Sequence, residues 1–216
     1  MSLLEAEDIS FSYYESPIIK NLSLNANQGE SISIMGVSGS GKSTLLHILS
    51  SFLKPQNGNV KLFEKNIYHL PYTDILELRR KQIGIIFQSH YLFLGFSAKE
   101  NLEVASLLSN EAIDESLLKF FGIFKNLPKN VGTLSGGQQQ RLSIARVLTK
   151  KPQIIFADEP TGNLDKENAL KVMELLFEYA KQTSALLFYV THDSNLAVKA
   201  TYAYKLEDST LKPLIR

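Results

Sequence analysis

Gly36-Val37-Ser38-Gly39-Ser40-Gly41-Lys42-Ser43-Thr44 is the stretch that decides the fold. It has the form Gly-x-x-x-x-Gly-Lys-Ser, a phosphate-binding loop. The residues before it, Glu30-Ser31-Ile32-Ser33-Ile34-Met35, alternate polar and apolar as a strand does. After it, Leu45, Leu46, Ile48 and Leu49 have the spacing of a buried helix face. The motif therefore lies on the strand-to-helix turn that its chemistry needs. Glycines there let backbone N–H groups curl around phosphate oxygens. The helix start adds its positive dipole end, Lys42 a full charge, and Ser43 a hydroxyl able to ligate Mg²⁺. The chain is predicted to bind a nucleoside triphosphate.

The rest of the chain reads as one large domain. At 216 residues it can bury a sizeable core, and 44% hydrophobic with 21% charged residues is ordinary for a globular protein. Twenty-three basic residues against 22 acidic ones leave a net charge of +1. No field of that size recruits nucleic acid or an anionic membrane, so no nucleic-acid partner is expected. With no cysteine there is neither a disulfide nor a thiolate metal site. His47, His69, His90 and His192 lack ligand spacing. No signal peptide is expected at the start, and no apolar run approaches the ~20 residues that span a bilayer. A membrane role would need a partner to bring the chain there.

Strands are predicted at 9–13, 18–25 and 30–35, then a hairpin-like pair at 59–63 and 65–69. Glu15-Ser16-Pro17 reads as the first turn. Helix at 71–80 and strand at 83–87 follow. Helical spacing then dominates at 98–109, 112–121 and 138–150. Strands at 153–157, 185–190 and 202–207 alternate with helices at 166–182 and 194–200. This order predicts an α/β fold with a largely parallel sheet covered on both faces. A small antiparallel region lies near the N-terminus. Residues 1–87 and 151–216 form the core of a single domain, and 88–150 a helical insertion.

Two further motifs carry chemistry. Ile154-Ile155-Phe156-Ala157-Asp158-Glu159 is an apolar strand ending in two carboxylates. Beside a phosphate loop, Asp158 would hold Mg²⁺ through water. Glu159 would polarise the water that attacks the γ-phosphate. Leu134-Ser135-Gly136-Gly137-Gln138 leads into a long helix and makes a second anion-binding helix start, with the Ser135 hydroxyl as an added donor. Two such starts meet one nucleotide in a single subunit only if the insertion folds back over the loop. Two copies facing head to tail solve the geometry more simply.

In this order the motifs resemble the nucleotide-binding subunit of ATP-binding cassette (ABC) transporters, essentially over the whole chain. Gly36–Ser43 matches Walker A, Gln88 the Q-loop, Leu134–Gln138 the signature, Ile154–Glu159 Walker B, Asn163-Leu164-Asp165 the D-loop and His192 the switch histidine. The resemblance implies a P-loop NTPase (RecA-like) core, ATP and Mg²⁺. It places Gly36, Ser38, Gly39, Ser40, Gly41, Lys42, Ser43 and Thr44 on the phosphates, with Ser43, Gln88 and Asp158 (via water) around the metal. Glu159 would be the catalytic base, and His192 would hydrogen-bond the γ-phosphate and attacking water. Ser135, Gly136, Gly137 and Gln138 would act in trans on a partner copy's nucleotide, beside the D-loop's Asp165.

Tyr13, 23 positions before Gly36, stands where the family has an aromatic that stacks on adenine. Its parity with Ile9 and Phe11 equally fits a core tyrosine, and Tyr14 is the alternate stacker. The run from Phe87 to Leu102 and Asp158–Asp165 is similar to the lipoprotein-releasing (LolD-type) group and its macrolide-exporter and cell-division relatives. Leu94, Gly95 and Lys99 depart from that pattern, and Asp208-Ser209 replaces its usual Asp-Gly turn. The resemblance implies an ATPase subunit on the cytoplasmic face of the inner membrane, peripheral to integral permease subunits. A cell-division-type cassette, signalling through a membrane partner without moving cargo, is the alternative. Tyr91, Leu92, Phe93, Leu94 and Phe96 would either pack the insertion or line a groove for a partner's helix.

Overall fold

The computed structural model describes residues 2–214. Two sheets share the chain. The first has strand order β2-β1-β4-β5 and is antiparallel. It is built from β1 (Ser2–Tyr13), β2 (Ser16–Asn27), β4 (Asn57–Leu62) and the two-residue β5 (Lys65–Asn66). The second has order β10-β9-β3-β8-β7-β6. It uses β3 (Ser31–Met35), β6 (Ile83–Ile86), β7 (Ile154–Asp158), β8 (Leu186–Thr191), β9 (Tyr202–Glu207) and β10 (Thr210–Pro213). Every pair in it is parallel except β9 with β10.

The helices are α1 (Lys42–Leu49), α2 (Tyr72–Lys81), α3 (Ala98–Ser109), α4 (Glu115–Phe120), α5 (Gly136–Leu148), α6 (Lys166–Thr183) and α7 (Ser194–Ala197). All residues of β7 and β8 are buried, as expected for strands covered on both faces. Side-chain alternation divides the core in two. Ile32, Ile34, Phe156, Phe188 and Val190 pack with α1 and the antiparallel sheet. Ile155, Ala157, Leu187 and Tyr189 pack with α5 and α6.

Several boundaries differ from the sequence expectation, each for a local reason. β1 begins seven residues earlier than 9–13 (9 − 2) because Leu3, Leu4 and Ala6 are buried. A bulge with Asp8 at φ 51° breaks the alternation between them and Ile9. The first turn falls at Tyr14-Glu15, with Ser16 and Pro17 already in β2. α4 covers only part of 112–121. Asp114 caps its start by accepting from Ser116 N, and Gly122 at φ 65° lies just past its end. α7 stops at Ala197 rather than at 200. β10 lies outside the predicted elements and pairs across the Asp208-Ser209 turn.

Candidate nucleotide site

The parallel strands all present their carboxyl ends at one edge, the place where open α/β sheets bind ligands. β3 runs into Gly36, β7 ends at Asp158, β8 ends just before His192, and β6 ends two residues before Gln88. Residues separated by more than a hundred positions therefore meet.

Gly41, the N-cap of α1, has φ 99°, and a Cβ there would lie 2.4 Å from Ile18 Cγ2. Only glycine fits. Lys42 is buried; its Nζ donates to Gly36 O and Val37 O, both at 2.9 Å, and lies 3.9 Å from Glu159 Oε1. The lysine thus braces the loop from within. The Ser40 Oγ is buried without a hydrogen-bond partner, a free polar group in a loop shaped for anions.

Ser43 Oγ donates to Asp158 Oδ1 at 2.9 Å. A hydroxyl and a carboxylate at that separation fit a hard cation such as Mg²⁺. Among the described residues no group of three or more His, Cys, Asp or Glu is placed to hold a metal ion. Glu159 follows with φ 45°, its N–H bonded to Val190 O at 3.2 Å. That left-handed backbone is a strained choice for glutamate. His192 Nδ1 lies 2.9 Å from Glu159 Oε2. A carboxylate only accepts, so Nδ1 carries a hydrogen toward Glu159 and Nε2 points away from that bond.

Gln88 is tied in by its backbone, Asn163 Nδ2 donating to Gln88 O at 3.1 Å. A Cβ on Gly162 would lie 3.3 Å from Gln88 Nε2. Tyr13 is half exposed, packs edge-to-face on Phe11 at 4.9 Å, and lines a hollow of about 260 Å³ with Ile18, Gly39, Gly41 and Lys42. Tyr14 is fully exposed at the apex of the turn. The core location that parity allows for Tyr13 is therefore not the one it takes.

The Ser135–Gln138 start is built as a capping box: Ser135 Oγ accepts from Gln138 N, and Gln138 Oε1 accepts from Ser135 N. Its neighbours are the D-loop and α6. A Cβ on Gly137 would lie 3.9 Å from both Leu164 Cδ2 and Asn168 Cγ. No hydrogen bond joins Ser135–Gln138 to Gly36–Thr44 among the described residues. Asp165 caps α6, accepting from Asn168 N and Nδ2; these bonds hold its carboxyl below the usual range.

Three residues with no motif to announce them join these parts. Gln140 Nε2 donates to Pro160 O at 2.6 Å, linking α5 to the turn after Glu159. Ser143 Oγ donates to His90 O, and Arg146 donates to His90 O and Tyr91 O. Helical spacing marks the apolar residues of α5 but not the bonds these polar ones make.

The Tyr91–Phe96 cluster divides as packing and surface. Leu92 is buried against the helical core. Tyr91 and Phe93 line a groove of about 530 Å³ with Leu76, Val104 and Leu108, edged by Arg79, Arg80, Arg146 and Lys150.

Residues 19–162 match the ABC transporter family. A lipoprotein-releasing system ATP-binding protein, LolD, from Leptospira interrogans is 39% identical, covering 98% of this chain and 91% of the relative. LolD from Rickettsia bellii is 42% identical over 90% of this chain and 88% of its own. The macrolide export ATP-binding/permease protein MacB of Wolinella succinogenes is 38% identical, but this chain spans 32% of it. Among solved structures, the ATP-binding cassette MJ0796, a dimer in a post-hydrolysis state with ADP and Pi, is similar at TM-score 0.86 and 32% identity, covering 97% of both chains.

Proposed function

The chain belongs to the ABC transporter family, and on that premise we propose that it is the ATP-hydrolysing subunit of a lipoprotein-releasing system. The observation that carries this reading is the bonded series Ser43–Asp158 and Lys42–Glu159–His192 at the sheet edge.

In the reaction, Lys42 transfers its hydrogen bonds from the loop carbonyls to phosphate oxygens. Ser43 and, through water, Asp158, with Gln88 alongside, would hold Mg²⁺, which when bound would offset charge on the phosphates. Glu159 takes a proton from water as its oxygen attacks the γ-phosphorus. The bond from that phosphorus to the bridging oxygen breaks, and ADP and phosphate leave. His192 Nε2 faces the attacking water and γ-phosphate, while Nδ1 keeps the imidazole aligned with Glu159. Tyr13 stacks on the adenine.

The second half of each site comes from a second copy, arranged head to tail. Ser135, Gly136, Gly137 and Gln138 of one protomer meet the γ-phosphate bound by the other, with Asp165 beside them. The placement of Gly137 beside the D-loop supports this, as does the dimeric form of the MJ0796 relative. ATP bridges the copies, and loss of the γ-phosphate removes the bridge. The aromatic groove receives a helix of an integral membrane subunit, making the chain peripheral to the membrane. No helix among the described residues is long and apolar enough to cross a bilayer.

Glu159→Gln tests the reading. ATP hydrolysis should fall at least about a hundredfold while ATP binding persists, and a nucleotide-dependent dimer should accumulate in light scattering. Wild-type turnover in this variant, or no dimer with ATP, would sink it.

A further inference from the structure

His192 stands between the end of β8 and α7, and α7 has four residues, too few to hold themselves as a helix. Its start is fixed locally. Asp193 N donates to Thr191 Oγ1 at 3.1 Å, and Asp193 Oδ1 accepts from Asn195 N at 2.8 Å. Its other end is met from the sheet by two hydroxyls. Ser33 Oγ donates to Ala197 O and Tyr189 OH to Leu196 O, each at 2.7 Å.

Ser33 on β3 and Tyr189 on β8 are register partners, and neither has any exposed surface. They stand side by side on the sheet face that carries α7. The Tyr189 ring packs edge-to-face on Phe177 at 5.7 Å, and burial pushes its phenol far up, so it remains a donor. A buried hydroxyl left unpaired costs about 1–3 kcal/mol, so polar groups on an otherwise apolar face need a partner. The carbonyls at the end of α7 are that partner.

We propose that Ser33 and Tyr189 are positioning residues for His192, fixing α7 to the sheet and thereby the height of the imidazole above the phosphate loop. The proposal rests on the role assigned to His192 above. β3 leads directly into Gly36, so Ser33 references the histidine to the very strand that carries the loop. The loop and the end of α7 are then both referenced to β3, and a small slip of α7 would misplace the imidazole without disturbing the loop.

Steady-state ATP hydrolysis and thermal melting of the purified full chain test this. The variants are Ser33→Ala, Tyr189→Phe, their combination, His192→Ala, and Tyr68→Phe as control. Tyr68 is a partly buried tyrosine donor, bonded to Ile48 O and Leu53 O at the end of α1 away from the phosphate loop. Tyr189→Phe and the double variant should lower kcat about tenfold, with KM for ATP within about twofold of wild type. Tyr68→Phe should lower the melting temperature and leave kcat unchanged. Should Tyr189→Phe fail to fold, the smaller Ser33→Ala change carries the comparison. The proposal is overturned if the folded variants turn over like Tyr68→Phe while His192→Ala is inactive. Wild-type turnover in His192→Ala would instead remove the role of His192, and the proposal with it.

Discussion

Ser135 places two demands on one oxygen. Its Oγ accepts from Gln138 N as the N-cap of α5, and in the proposed dimer its own hydrogen would donate to a phosphate on the other copy. Two substitutions separate these uses. Ser135→Ala should lower stability by about 1 kcal/mol through the lost cap, whereas Ser135→Gly should cost only a few tenths, on the order of 0.3 kcal/mol. Melting curves should therefore differ, while ATP-dependent dimerisation falls alike in both. A Gly variant that dimerises like wild type would show that the hydroxyl serves the helix alone. At this scale the phosphate loop and the Asp158-Glu159 pair are legible as local motifs, whereas His192 is reached only through the family resemblance. Ser33, Tyr189, Gln140 and Arg146 are not legible either way. Each finds its partner on an element more than two residues away in sequence, and a serine or tyrosine in an apolar strand looks the same whether or not a carbonyl waits opposite.

α2 and α5 meet end to end through Lys150, whose Nζ donates to Arg79 O near the end of α2 at 2.6 Å. Burial pushes this amine down to about 8 from an ordinary 10.5, with no acidic partner to offset it among the described residues. The sign follows directly. Below pH 8 both folded and unfolded chains hold the proton, and the folded chain bears the full desolvation penalty. Between about 8 and 10.5 the folded chain releases the proton first, the unfolded chain binds more protons, and this residue's penalty fades. Lys150→Met should therefore be more stable than wild type at pH 7, by on the order of 1 kcal/mol after loss of the hydrogen bond. Denaturant titrations should show the difference shrinking as pH rises through that window. A constant difference would mean that the amine is not held down. Element types were legible from periodicity in most of the chain. What escaped were the ends: the bulge at Asp8 hid the first half of β1, and the caps at Asp114 and Gly122 shortened α4. Alternation and helical spacing describe element interiors, and local hydrogen bonds decide where they stop.

For the whole molecule, the order of motifs was enough to fix the architecture, because a parallel sheet brings the ends of β3, β6, β7 and β8 to one edge. The groove was legible only as an apolar run, since its walls come from α2, α3 and α5, which no periodicity places together. Its use by a membrane subunit is open to a direct check. Leu108 lies on α3, is 59% exposed, and lines the groove. Leu108→Asp should abolish recovery of the chain with membranes and leave its melting temperature within about 2 °C of wild type, as for a surface change. Unchanged recovery would move the docking site elsewhere.

Among the described residues, the sheet neighbours of β3 are β8 and β9. Ser31 pairs with Leu187, 156 positions later (187 − 31). During synthesis the strand bearing the phosphate loop therefore leaves the ribosome without either sheet neighbour until β8 and β9 have emerged. Until then the nascent chain presents an unpaired apolar strand, a substrate for chaperones and a site for mispairing.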